Sequence, residues 1–314
     1  MNESQLRAIV ARIDSLARRD AGGRGLAACA GPGDLLPAAA ELFSGQRIIL
    51  VTGFCIRAAM IGENDGPPGT LALADALCQL GKEVVLLTDR HSAGLLVAGA
   101  ATYGRAYPTV ILSLAPETAR RQIEDLVAAF TPTQVVAIER PGSAADGHRY
   151  SMRGEILDDL VAATDCLLEP PGGRTYKTIA IGDGGNELGF GSLRAALKQQ
   201  VRLGDLIFCS TAADYLIPAG ISNWGASALV ATLSLIAGRL LLRPPEHDYA
   251  VLQALLAAGA VDGCSGTAAL SVDGLAWESY ATTLAGIYEE ARLGLQMPKT
   301  SPQRRKGAKG AKET

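Results

Sequence analysis

The residues best suited to chemistry are carboxylates that follow short apolar, β-branched runs. Asp89 follows the run 83–88, Glu139 closes the run 134–139, and Asp183 comes two residues after the run 177–181. Ligands of doubly wound sheets lie beyond the carboxyl ends of the strands. These acids, together with Glu63 and Asp65, can therefore converge although they are far apart in the chain. The densest segment, 179–192, carries five glycines, two acids and an asparagine. Glycine permits positive φ and close backbone approach at a cost in chain entropy, which makes such a loop poor scaffolding. Asp183, Asn186 and Glu187 offer hard oxygen donors that suit Mg²⁺ or Mn²⁺ better than a soft-ligand metal. The amides of Gly184 and Gly185 can face an anionic group. The glycine spacing misses GxGxxG and no GK[ST] follows it, so no nucleotide cofactor is expected.

A second acidic segment, GENDGPPGT at 62–70, leads into a helical pattern. Asp65-Gly66 suits a tight turn, and Pro68 suits the first helical turn, where its missing N–H costs little. Glu63, Asp65 and Gly66 then stand near free helix amides, a setting that favours anionic groups. Arg140 and Arg153 are candidate clamps for a substrate carboxylate, because a guanidinium matches two oxygens. His148 and Tyr150 are candidates for proton transfer, and Lys177 for anion binding. Ser222 and Asn223 precede a long apolar run, where either can cap the helix or orient substrate. No GxSxG elbow or nucleophilic triad is present.

The elements that must position these groups alternate. Strands are expected at 47–53, 83–88, 109–114, 134–139, 166–168, 177–181 and 206–209. Helices are expected at 69–80, 117–129, 152–163 and 193–200. Near-continuous apolar strands separated by helices predict an α/β fold, with a mostly parallel or mixed sheet covered by helices on both faces. Residues 1–19 predict an amphipathic helix. Helices at 224–242, 248–258 and 277–293 predict a helical C-terminal portion, with a glycine-bearing turn at 261–275 that could carry function. Residues 1–296 then form one domain, and the basic stretch 297–314 is expected to be a disordered tail.

Composition narrows the function. The 314 residues carry a formal charge of −3 and no basic stripe, which argues against nucleic-acid binding. The most apolar stretch, 226–238, is too short for a membrane span and fits a buried helix. Six dispersed cysteines without CxxC predict buried free thiols and a cytoplasmic location. The expected partner is a small anionic substrate, either an amino acid or a phosphate ester.

Five segments, GENDGPPGT (62–70), IERPG (138–142), MRGE (152–155), IGDGGNELGFG (181–191) and ISNWG (221–225), resemble in order the C-terminal domain of D-glutamate cyclases. Asn64 and Phe190 depart from the family pattern of a small hydroxylic residue and a methionine. The resemblance implies a hydro-lyase that interconverts D-glutamate and 5-oxo-D-proline. In that reaction Glu139, Asp183 and Glu187 are the catalytic acids. Asp89, Glu139, Asp183 and Glu187 hold a divalent metal, and Arg140 or Arg153 holds the α-carboxylate. Two alternatives stand beside it: a divalent-metal-dependent phosphatase, and a non-catalytic small-molecule-binding partner of a separate hydro-lyase domain protein.

Overall fold

Runs of aliphatic and β-branched residues form six strands: β1 (Arg47–Thr52), β2 (Glu83–Asp89), β3 (Thr109–Leu112), β4 (Gln134–Ile138), β5 (Lys177–Gly182) and β6 (Tyr215–Pro218). The computed structural model describes residues 1–20, 23, 26–169 and 173–297. All the strands are parallel, in the order β3-β2-β1-β4-β5-β6 of a doubly wound sheet. Alternate residues of these apolar runs serve opposite layers. Ile48, Leu50, Val136 and Ile138 join one core, and Ile49, Val51, Val135 and Ala137 join the other. Burial on both faces is why the runs lack polar alternation.

The helices among the described residues are α1 (Glu3–Ala17), α2 (Leu26–Ala30), α3 (Leu35–Ser44), α4 (Pro67–Gln79), α5 (Ala93–Thr102), α6 (Pro116–Phe130), α7 (Gly191–Leu197), α8 (Gly204–Ile207), α9 (Ser222–Ala237), α10 (Pro245–Ala257) and α11 (Trp277–Gln296). The first core takes side chains from α1, α3, α4, α5, α9, α10 and α11. The opposite face is covered by α6 and the segment around 162–168. α9 is buried from Ser222 to Leu235 because it lies in the middle of the helical layer. That position explains its uniform apolarity. No helix among the described residues is long and apolar enough to cross a membrane.

Three short-range expectations give way. The expected strand 166–168 overlaps a 3₁₀ turn at Asp165–Leu167. The expected strand 206–209 begins inside α8, and the sixth strand is Tyr215–Pro218 instead. β6 lies at the sheet edge, where Pro218 is tolerated. The expected helix 152–163 is a series of turns, with Gly154 at φ +81°. Short apolar runs do not by themselves separate strand, turn and helix. Of the cysteines, Cys55 and Cys209 are buried, whereas Cys29 and Cys264 are exposed. The basic tail expected at 297–314 lies outside the described residues apart from Met297.

Asp248 of α10 is buried in the helical layer, and burial pushes its carboxyl up to about 7. The folded protein therefore keeps a proton that the unfolded chain releases near pH 4. Stability from this group is complete below about pH 4 and is lost as pH rises through about 7. Asp248→Asn should remove a stability decline of roughly 3–5 kcal/mol across that interval. Urea denaturation from pH 4 to 8 reads it, and parallel profiles for the two proteins would contradict it.

Candidate active site

Strand order reverses between β1 and β4, and the crevice beyond their carboxyl ends is where doubly wound folds bind ligands. After β1, the chain makes a small antiparallel ladder of Cys55–Ile56 with Ile61–Gly62 and then delivers Glu63 and Asp65. Glu139 is the first residue past β4, and Asp183 the first past β5. One carboxylate oxygen each from Asp65, Glu139 and Asp183 lies within 4.8 Å of the others, and all three residues are buried.

Two helix N-termini hold this cluster. Asp65 accepts from Ser222 N at 3.0 Å and Asn223 N at 2.9 Å, which caps α9. The Asn223 side-chain oxygen in turn accepts from Gly66 N and Gly69 N, both at 2.9 Å, at the start of α4. Each helix is thus capped by a residue from the neighbourhood of the other. The cap of α9 is Asp65, not the expected Ser222 or Asn223, because the two N-termini face each other across the crevice. Their partial positive charge offsets repulsion among the acids. Gly66 sits at φ +93°, and a β-carbon there would lie 2.7 Å from Thr52 Oγ1 and 2.8 Å from Glu139 Cβ. Only glycine permits that approach.

Glu139 is the most perturbed acid of the crevice. Burial, reinforced by Glu187, Asp65, Glu63 and Asp273, holds its carboxyl well above the usual range. Its backbone lies in the left-handed region at φ +45°, a conformation that costs about 1–3 kcal/mol outside glycine. The hydroxyl of Ser222 donates to Glu139 Oε2 at 2.5 Å. A strained, desolvated acid fixed by one hydrogen bond is suited to proton transfer.

The glycine loop uses its other acid differently. Glu187 accepts from the amides of Asp183 at 3.1 Å and of Gly184 and Gly185 at 2.6 Å each. Its carboxylate therefore folds the loop and presents Asp183, and the amides of Gly184 and Gly185 point inward to Glu187. Asn186 donates from Nδ2 to the Tyr150 carbonyl at 2.8 Å, while its Oδ1 is buried without a hydrogen-bond partner.

The expected metal set of Asp89, Glu139, Asp183 and Glu187 is thus regrouped. Among the described residues the acids that gather are Asp65, Glu139 and Asp183. Asp89 instead pairs with Arg140 at 2.7 Å, with both side chains essentially inaccessible. Arg140 also donates to the carbonyls of Gly53 at 3.0 Å and Ala162 at 2.6 Å. It is a buried cross-link and does not reach the crevice as a carboxylate clamp. Arg153 does reach it, and donates to the Cys264 carbonyl at 2.6 Å. His148 is exposed against Asp158 at 2.6 Å, and the Tyr150 hydroxyl donates to Asp146, so neither faces the crevice. Lys177 begins β5, at the end of the sheet opposite the site.

Above Glu139 opens a cavity of about 520 Å³. Glu63 and Glu139 line it together with Phe54, Met152, Arg153 and Cys264. The 261–275 turn supplies Cys264, and the bridge from Glu63 to Val261 ties that turn to the acidic segment. Sequence reasoning missed Cys55, Gln200 and Arg202 as lining residues, since none belongs to a patterned motif. Burial raises the Cys55 thiol to about 12, so it is no nucleophile near neutral pH. Three buried oxygen donors close together fit a hard divalent cation. With or without one, the crevice can bind an ammonium group and move protons.

A family model described as "D-glutamate cyclase-like, C-terminal" matches residues 13–288. The chain is 33% identical over 242 residues to "D-glutamate cyclase, mitochondrial" of Homo sapiens, which is 72% of this chain. The match spans 39% of that protein's length.

Proposed function

Because this chain belongs to the D-glutamate cyclase-like, C-terminal family, we propose that its acidic crevice is a hydro-lyase site that interconverts D-glutamate and 5-oxo-D-proline. The observation that carries the reading is Glu139, a buried acid of raised proton affinity at the floor of a cavity large enough for an amino acid. Cyclisation forms a bond from the α-nitrogen to the γ-carboxyl carbon and breaks one carbon–oxygen bond. The two protons lost from the ammonium leave with that oxygen as water.

Glu139 takes the first proton and frees the nitrogen lone pair, then returns it to a γ-oxygen of the tetrahedral adduct. It then relays the second nitrogen proton to the same oxygen, which departs as water. Ser222 holds Oε2, which leaves Oε1 for the substrate. Glu63, on the same cavity wall, favours the ammonium end. Asp183 and Asp65 are the residues that would hold Mg²⁺ or Mn²⁺, with Glu139 beside them left to carry the proton, and such an ion would polarise the γ-carboxyl group. Glu187 keeps Asp183 in place through the loop amides.

The test uses the purified chain with D-glutamate, following loss of primary amine and formation of 5-oxoproline by chiral chromatography. Turnover is expected, with at least a tenfold fall in EDTA and recovery on adding Mg²⁺ or Mn²⁺. Amine retained under every metal condition would sink the cyclase reading. A parallel phosphate-ester assay separates it from metal-dependent hydrolysis, which uses the same kind of donor set.

A further inference from the structure

Among the described residues, three arginines line the cavity: Arg57, Arg153 and Arg202. Arg57 donates to Asp159 at 3.0 Å and 2.5 Å and to the Ile156 carbonyl at 2.5 Å. Arg153 donates to the Cys264 carbonyl. Arg202 is exposed and, among the described residues, makes no hydrogen bond or ion pair through its side chain. Its backbone is nonetheless anchored. Val201 beside it is buried in the core under α7 and α8, and Gly204 N donates to the Val201 carbonyl at 3.0 Å.

We infer that Arg202 binds the α-carboxylate of the substrate and thereby selects its hand, an inference that rests on the cyclase reading. The floor acids Glu63 and Glu139 attract an ammonium and repel a carboxylate. A bound amino acid therefore turns its α-carboxylate toward the cationic wall. There the planar fork of Arg202 matches two carboxylate oxygens and gives up no existing partner to bind them. Ammonium on Glu139, α-carboxylate on Arg202, and the γ-carboxyl at the cation that Asp65 and Asp183 would hold make three attachments around one stereocentre. Three attachments suffice to tell D from L.

The test compares wild type, Arg202→Gln and Arg202→Lys with D- and L-glutamate. Arg202→Gln should raise KM for D-glutamate roughly tenfold to a hundredfold, with kcat within a few-fold and a smaller D-over-L preference. Lysine should restore part of the KM, and the melting temperature should not move. An unchanged KM and D/L ratio in an active Arg202→Gln overturns the inference while the cyclase reading stands. If wild type turns over no D-glutamate, that reading fails by itself, and Arg202 is then judged by calorimetric titration with 5-oxo-D-proline. Binding lost in Arg202→Gln supports the inference, and equal or absent binding overturns it.

Discussion

Glu139→Gln is expected to lower kcat for D-glutamate cyclisation by roughly 10²–10⁴-fold, the usual weight of a positioned proton carrier. The amide keeps the shape and can still accept from Ser222, but it cannot take the ammonium proton. Stability should move the other way. Glu139 is buried among Glu187, Asp65, Glu63 and Asp273 and sits on left-handed backbone, so removing its ionisable group should raise the melting temperature above pH 7. Gains in stability at the cost of function are typical of acids held in unfavourable surroundings. Turnover within threefold of wild type would remove Glu139 from the reaction.

The second large effect concerns folding. Asp89→Ala leaves the Arg140 guanidinium buried without its counter-ion, which should cost roughly 3–5 kcal/mol. Arg140 also holds the carbonyls of Gly53 and Ala162, so the loss should loosen the roof over β1 and the 162–168 segment together. Urea denaturation measures it, and Asp89→Asn, which keeps an acceptor, should lose less. The loss should be the same with and without added Mg²⁺. If it appeared only with the ion present, Asp89 would return to the cation site.

The site was partly legible from strand ends. Glu139 and Asp183 each follow an apolar run that must be a buried parallel strand, and the tops of such strands are where ligands lie. Glu63, Asp65, Ser222 and Asn223 also belonged to motifs that the fold does bring to the crevice. Arg202 had no such signal, since it sits in the short connection between α7 and α8. The 152–163 segment misled because its apolar spacing fits a helix, whereas Gly154 and the bridge of Tyr150 with Ile156 make it a turn.

What the sequence alone determined is therefore the layering and the candidates. Apolar periodicity places strands and long helices, because burying one face or two is a local demand on residue order. Only the tertiary structure decided what each acid does. Asp89 and Asp183 look equivalent as carboxylates beyond strand ends, yet one meets Arg140 and the other meets Asp65 and Glu139. A carboxylate's proton affinity and partners depend on burial and on charges within a few ångströms. Those neighbours come from distant segments of the chain, 158 residues apart in the case of Asp65 and Asn223.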